Sequence, residues 1–340
     1  MILNKWDDYL IHQMAGSINK VESEDLHWFD RMYFGIGDPG GSLVLNTGLG
    51  TYPNAQVMDG FACVSQGTMQ RNIRFSRRLQ NDRADMWIGP LTLEVLEPLR
   101  RWSLELGKND YGIDFSLEFQ ARSSPYMIRD IVVPLPEQGT MASSHFTQLG
   151  RYSGWVAVDG NKLAVDGWGC IRDRSWGLRP PLGTGCYWWH HMPFSDRCIT
   201  LIAAELDGLP MFCDGAILYD NGELTPIVSL RHRLNVATTG EHLSGELALG
   251  HPDGRETLVS TKRISQGPYL SGGGYGWSHG VDRGQLHIEG EELDISSAST
   301  LDSLPIRVYC QIAGFSIGDE VAVGWFEGGG NQSYQYKPVW

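Results

Sequence analysis

The chain has 340 residues, of which 41% are hydrophobic and 20% charged, so it can bury a full core and is not an intrinsically disordered protein. Its length fits two units of about 170 residues, and its 42 glycines, 16 prolines and 12 tryptophans favour an all-β protein over a helical bundle. A formal net charge of −13 without a basic stripe argues against nucleic acid and anionic membranes as partners.

The location of the protein follows from its N-terminus, its hydropathy and its cysteines. The opening residues have no basic region leading into an apolar stretch, and no apolar run approaches about 18 residues. The six cysteines lack CxxC spacing, and most of them stand in apolar, strand-like runs where a reduced thiol behaves as a small hydrophobic group. We therefore expect a cytoplasmic protein that does not insert into membranes. A homo-oligomer is compatible with these features.

Hydrophobic alternation predicts β-strands through most of the chain. In residues 113–119, apolar side chains at every second position alternate with Asp, Ser and Glu, as in a strand with one buried face. Residues 321–325 repeat this pattern. Pairs such as Asp159-Gly160 stand between the strand-like runs and are typical of hairpin turns. Short strands joined by hairpins predict barrels or sandwiches.

The chain also resembles itself at an offset of 155 residues. Within residues 58–79, this offset places Asp59-Gly60 on Asp214-Gly215 and Arg78-Leu79 on Arg233-Leu234. A duplicated unit is therefore expected. Its boundary should fall near Pro180-Pro181, because two prolines end any strand ladder. This gives a first unit of residues 1–178 and a second unit of residues 179–340.

The segment before this boundary carries a family resemblance. Residues 166–179 read Asp-Gly-Trp-Gly-Cys-Ile-Arg-Asp-Arg-Ser-Trp-Gly-Leu-Arg. This segment resembles the motif G-x-x-R-D-x-S-W-G-x-R, which links two barrels in the tandem lipocalin-like family of bacterial carotenoid 1,2-hydratases and AttH-type proteins. The matching residues are Gly169, Arg172, Asp173, Ser175, Trp176, Gly177 and Arg179. The resemblance implies two tandem antiparallel lipocalin-like (calycin) β-barrels with few short helices. Members of this family include alkene hydratases, cyclisation catalysts and proteins of unknown role.

The centre of that motif is a first candidate site. Asp173 stands between Arg172 and Arg174, which favour its charged form. One interpretation is an ion-paired clamp that fixes the connection between the barrels. The other is a polar wall at a cavity mouth, completed by Trp176, that holds a substrate oxygen.

Residues 186–191, with the sequence Cys-Tyr-Trp-Trp-His-His, form a second candidate. In a strand, Tyr187, Trp189 and His191 point to one face, and Trp188 and His190 to the other. An imidazole among indole rings is suited to acid or base catalysis near neutral pH. The alternative is a packed histidine satisfied by a backbone carbonyl.

The duplicated Asp-Gly pairs and two further histidines complete the candidates. Asp214 follows an apolar run, where burial would raise its pKa and make it a proton donor, although Asp-Gly more often marks a turn or bulge. His145 and His279 stand beside aromatic residues and glycines, as at a pocket rim or in a surface loop. Tyr33 and Tyr52 complete the predicted substrate-binding set.

The sequence lacks the motifs of several cofactor-dependent or metal-dependent enzymes. No GxGxxG or Walker pattern opens a helix, and no HExxH motif occurs. The GxSxG strings at residues 276–280 and 314–318 are not followed by a helical pattern, as the nucleophile elbow of an α/β-hydrolase requires. We therefore predict no cofactor and no metal. The leading prediction is a lyase of the hydratase/dehydratase or elimination type that acts on a hydrophobic, ring-bearing small molecule. Its catalytic residues are drawn from Asp173, His190, His191 and Asp214. The alternative is a non-catalytic carrier or sensor of a lipophilic ligand.

Overall fold

The computed structural model describes residues 8, 10, 13–80, 83–135, 139–178, 185–206, 208–270, 279–304, 306–331 and 334–340. The predicted boundary at Pro180-Pro181 lies outside the described residues. Among those described, no helix has the length and hydrophobicity needed to cross a bilayer.

The strands of the first half follow one another with short connections. They are β1 (Phe29–Gly37), β2 (Val44–Tyr52), β3 (Val57–Gln66), β4 (Met69–Arg78), β5 (Trp87–Ile88), β6 (Leu91–Glu97), β7 (Arg101–Leu106), β8 (Ile113–Ala121), β9 (Tyr126–Leu135), β10 (Gly139–Val158) and β11 (Asn161–Gly177).

The second half repeats this organisation and adds one short helix. Its elements are β12 (Cys186–Pro193), β13 (Arg197–Leu206), β14 (Leu209–Tyr219), β15 (Leu224–Ile227), β16 (Ser229–Val236), β17 (His242–Gly250), β18 (Glu256–Arg263), β19 (Leu286–Asp294), α1 (Ala298–Ser303), β20 (Ile306–Ile317) and β21 (Glu320–Asn331).

These strands form two antiparallel sheets, each curled into a nearly closed barrel. The first sheet has the order β19-β4-β3-β2-β1-β11-β10-β8-β7-β6-β5, with β9 paired to β10. The second has the order β15-β14-β13-β12-β21-β20-β18-β17-β16. The predicted fold class, two tandem lipocalin-like barrels, is confirmed.

The internal repeat corresponds to equivalent strands. Asp59 lies in β3 and Asp214 in β14, each the third strand of its half in chain order. The ladder around Asp59 is continuous on both sides, so this Asp-Gly pair marks neither a turn nor a bulge. The two sheets do not correspond fully to the two halves of the chain. Strand β19 belongs to the second half but pairs with β4 at the edge of the first sheet. The division at residue 178 stays a prediction.

The two barrels touch through the outward faces of their central strands. On β1, Phe34 packs inside the first barrel against Trp102, and the alternate residues Gly35 and Gly37 face the second barrel. A Cβ atom on Gly37 would lie 2.1 Å from the Cδ1 atom of Ile312, which is 1% exposed. Glycine therefore allows the backbone of β1 to approach β20 and β21.

The contact at Gly37 can be tested by adding a single methyl group. We expect Gly37→Ala to lower the free energy of unfolding by about 1–3 kcal/mol, because the buried Ile312 must move out of its packed position. Gly169→Ala is the matched control, since a Cβ atom there has no heavy atom within 4 Å. Urea unfolding of both variants measures the difference. Equal stability of the two variants would contradict the close contact.

Candidate active site

Outward-facing side chains of both barrels meet in one buried group between them. Tyr33 on β1 lies opposite Asp173 on β11, and Trp189 on β12 lies opposite Glu327 on β21. The rings of Tyr33 and Trp189 are 6.3 Å apart, and the Tyr33 hydroxyl lies 3.6 Å from Cys310 Sγ. We name this group the inter-barrel cluster. Its members are Tyr33, His145, Asp173, Tyr187, Trp189, His191, Cys310, Trp325 and Glu327.

A histidine–aspartate pair lies on the first barrel's side of the cluster. His145 on β10 and Asp173 on β11 are joined by a 3.0 Å hydrogen bond between Nε2 and Oδ2. Each side chain is 10% exposed, and the edge of the His145 ring contacts Trp189 at a centroid distance of 5.1 Å. In the tautomer in which Nε2–H donates this hydrogen bond to Asp173, Nδ1 of His145 carries a lone pair and can accept a proton.

A buried carboxyl group lies on the second barrel's side. Tyr187 donates its hydroxyl hydrogen to Glu327 Oε1 over 2.5 Å, and Trp325 donates its indole N–H to Oε2 over 3.1 Å. The thiol of Cys310 lies 3.5 Å from the same Oε2. Burial, together with the nearby Asp173, raises the pKa of the Glu327 carboxyl to about 7, although the hydrogen bonds from Tyr187 and Trp325 lower it. Glu327 can therefore hold a proton near neutral pH.

His191 lies beside Trp189 in the wall of the cluster. Its ring is 1% exposed, and Nδ1 is 3.0 Å from Thr200 Oγ1. Nε2 has no hydrogen-bond partner among the described residues. Burial lowers the pKa of this imidazole well below its usual range, so His191 stays neutral.

Several predicted residues point away from the cluster, into the barrels. Trp188 and His190 lie inside the second barrel, where both pack against Phe326. Burial lowers the pKa of His190 well below its usual range. Neither side chain shares the face of Tyr187, Trp189 and His191, as the alternation on β12 predicts.

The arginines and the tryptophan of the central motif lie inside the first barrel. Arg172 donates a 2.8 Å hydrogen bond from Nε to Gln148 Oε1, and Arg174 forms a 2.5 Å ion pair with Asp30. Trp176 faces inward on the same strand. Because neighbouring residues of a strand point to opposite faces, Asp173 pairs with His145 rather than with the two arginines.

Asp214 joins the two barrels at another point. Its Oδ1 accepts a 3.0 Å hydrogen bond from the Tyr126 hydroxyl, and its Oδ2 accepts one of 2.5 Å from the backbone N–H of Arg129. Both partners lie on β9 of the first sheet. These contacts indicate a link between β14 and β9, outside the inter-barrel cluster.

His279 belongs to a separate group on the outer face of β1–β3. Its Nδ1 lies 3.1 Å from both carboxylate oxygens of Asp59, and Arg31 donates to its Nε2 over 3.1 Å. Tyr52 stacks on the ring at a centroid distance of 6.0 Å. These contacts anchor His279 to the first barrel.

Sequence reasoning missed Glu327, Trp325 and Cys310. Trp325 and Glu327 are two residues apart on β21 and share its outward face. A charged residue that alternates in phase with a tryptophan was the sequence signal that could have identified Glu327. Their partners on β12 are far away in sequence, and the single strand gives no sign of that pairing. Among the described residues, no three His, Cys, Asp or Glu side chains are grouped as metal ligands.

The fold and the cluster define a tandem lipocalin-like protein with buried acid–base groups between its barrels. The chain belongs to a protein family of unknown function (DUF8625), whose sequence profile matches residues 3–329. A comparison with curated proteins returned no match.

Solved structures share the fold at low sequence identity. A provisionally assigned AttH of Nitrosomonas europaea is 12% identical, with 91% of this chain and 94% of that chain covered and a TM-score of 0.60. CghA is 9% identical, with 92% and 90% covered and a TM-score of 0.52. Kievitone hydratase from Nectria haematococca is 11% identical, with 89% and 88% covered and a TM-score of 0.46. The predicted resemblance to the AttH and carotenoid hydratase type is confirmed at the level of the fold.

The raised pKa of Glu327 predicts a pH dependence of stability. Its stabilising contribution is fully present below the ordinary glutamate pKa of 4.5 and is lost as the pH rises through about 7. Between pH 5 and pH 8, the wild-type protein should therefore lose about 2–3 kcal/mol of unfolding free energy relative to Glu327→Gln.

Urea unfolding at the two pH values measures this double difference. The exposed Glu94→Gln is the control and should follow the wild-type protein. A Glu327→Gln variant whose stability runs parallel to that of the wild type would show that Glu327 is ionised throughout.

Proposed function

We propose that this protein is a cofactor-independent lyase of the hydratase/dehydratase or elimination type. Its substrate is a hydrophobic, ring-bearing small molecule such as a terpenoid, a steroid or a lignin-type aromatic. The observation that carries this proposal is the pairing of a protonatable Glu327 with an oriented His145–Asp173 couple in one aromatic-lined cluster. Acid and base groups are sufficient to add or remove water at an activated carbon–carbon double bond.

The two halves of the cluster supply opposite steps of such a reaction. In the elimination direction, His145 Nδ1 accepts a proton from the substrate carbon, and Asp173 stabilises the resulting imidazolium. The hydroxyl group leaves as water after receiving the proton that Glu327 holds. The resulting carboxylate accepts the hydrogen bonds of Tyr187 and Trp325, which stabilise its charge.

The aromatic walls suit both the substrate and a charged transition state. The ring centroids of Trp189 and Trp325 lie 6.3 Å and 6.5 Å from that of Tyr33. The faces of such rings stabilise positive charge that develops at an allylic or benzylic carbon. His191, held neutral by burial, adds no competing positive charge.

The relatives agree with this proposal. The central motif resembles that of the carotenoid 1,2-hydratases, and the AttH and CghA structures share the fold. A structure of CghA with Sch210972 is 9% identical to this chain, with a TM-score of 0.51. A cytoplasmic location, a homo-oligomer and the absence of a nucleic-acid partner stay predictions of the sequence.

The proposal is tested by separating turnover from binding. A panel of terpenoid, steroid and lignin-type alcohols and alkenes is incubated with the protein, and mass spectrometry detects the loss or gain of one water. We expect His145→Gln and Asp173→Asn to lower kcat by about 10²–10⁴-fold while the substrate Kd changes little, because they remove the base and its orienting partner.

His27→Gln is the matched histidine control, since the His27 side chain is 84% exposed, and it should keep wild-type turnover. Binding of panel compounds without any product would instead identify a carrier or sensor. Wild-type turnover in His145→Gln would contradict the proposal that the inter-barrel cluster carries out the reaction.

A further inference from the structure

A cavity of about 450 Å³ lies at one end of the first barrel. Inward-facing residues of β1 and β11 form one wall, and the segment 13–22 forms the opposite wall. The apolar part of the lining includes Met14, Ile18, Trp28 and Trp176. This volume lies in the range of small-molecule pockets.

The strand residues that line the cavity face the interior of the first barrel. Asp30, Met32 and Phe34 alternate along β1 on the face that contacts Trp102 inside the barrel. Arg174 pairs with Met32 and shares that face. Asp173, its neighbour on β11, points instead to the inter-barrel cluster, so β11 separates the two sites.

Arginine side chains in and behind this cavity have unused hydrogen-bond donors. Arg83 Nη1 and Arg174 Nε are buried and lack partners among the described residues. Deeper in the barrel, Arg172 is 1% exposed, and its Nη2 also lacks a partner there. Burial lowers the pKa of Arg172 to about 10, which shows how strongly its charge is desolvated.

The acidic groups nearby do not balance these cations. Asp30 forms its ion pair with Arg174, and Glu22 shares the lining with Lys20. Arg83 and Arg172 form no ion pair among the described residues, and the charges of Asp30 and Asp173 act on them only from a longer distance. Burying an uncompensated charge is costly, and an anion that brings two acceptor oxygens reduces this cost.

We propose that this cavity is a second ligand site, which binds a small molecule with an apolar body and a carboxylate group. The carboxylate lies beside the guanidinium groups of Arg83 and Arg174, which line the cavity. The apolar body packs against Trp28 and Trp176. This site lies across β11 from the inter-barrel cluster, and it does not depend on the proposed catalytic function.

Calorimetric titration with decanoate and decan-1-ol at pH 8 and low salt tests the proposal, because the two probes differ mainly in charge. The wild-type protein should bind decanoate at least about tenfold more tightly than the alcohol. Arg83→Gln should remove this preference and leave the affinity for decan-1-ol unchanged. Arg83→Lys keeps a cation and should retain part of the preference.

Two controls locate the binding. Arg100→Gln replaces an arginine that is 73% exposed and should bind both probes like the wild type. Asp173→Asn, which disables the proposed acid–base pair, should also leave decanoate binding unchanged. Failure to bind decanoate, equal affinity for acid and alcohol, or an unchanged preference in Arg83→Gln would each overturn the proposal.

Discussion

The close approach of two barrel walls is the constraint on which the rest of the structure depends. Gly35 and Gly37 on β1 leave room for the side chains of Trp325 and Ile312 of the second barrel. Strands in this contact are buried on both faces, because one face fills a barrel and the other meets the neighbouring barrel. Any polar group on the second face is therefore buried and needs a partner.

The partners of these polar groups come from several strands. His145 finds Asp173 across the β10–β11 ladder, and Glu327 finds Tyr187 across the β12–β21 ladder. Hydrogen bonding to a neighbouring strand offsets part of the cost of burial, but it does not restore the ordinary pKa of Glu327. A glutamate side chain that would be ionised in water at pH 6 is therefore protonated between the barrels at that pH.

One strand separates two chemically different environments. On β11, Asp173 faces the inter-barrel cluster, and Arg172 and Arg174 face the interior of the first barrel. The outward side combines acid and base groups with aromatic rings, and the inward side combines free guanidinium donors with indole rings. The first arrangement suits proton transfer, and the second suits recognition of an anion.

The sequence predicted the fold and the faces of β12 correctly, because both follow from local patterns. A linking motif, a repeat at a fixed offset and period-two alternation do not require knowledge of distant contacts. Alternation also implies that Asp173 and its neighbouring arginines face opposite ways, so an ion-paired clamp of these three residues is incompatible with a regular strand. Glu327 and the link from Asp214 to β9 depend on pairings between distant strands, which a single sequence does not encode in any short window.

The protonation state of Glu327 is the most direct test of a buried acid group between the barrels. Difference infrared spectroscopy of the wild-type protein and Glu327→Gln, recorded from pH 5 to pH 9, isolates the C=O stretch of this single carboxylic acid. We predict a protonated carboxyl band at pH 5 to 6 that disappears with a midpoint near pH 7. The absence of this band at pH 5, with Glu327 already a carboxylate, would contradict the prediction.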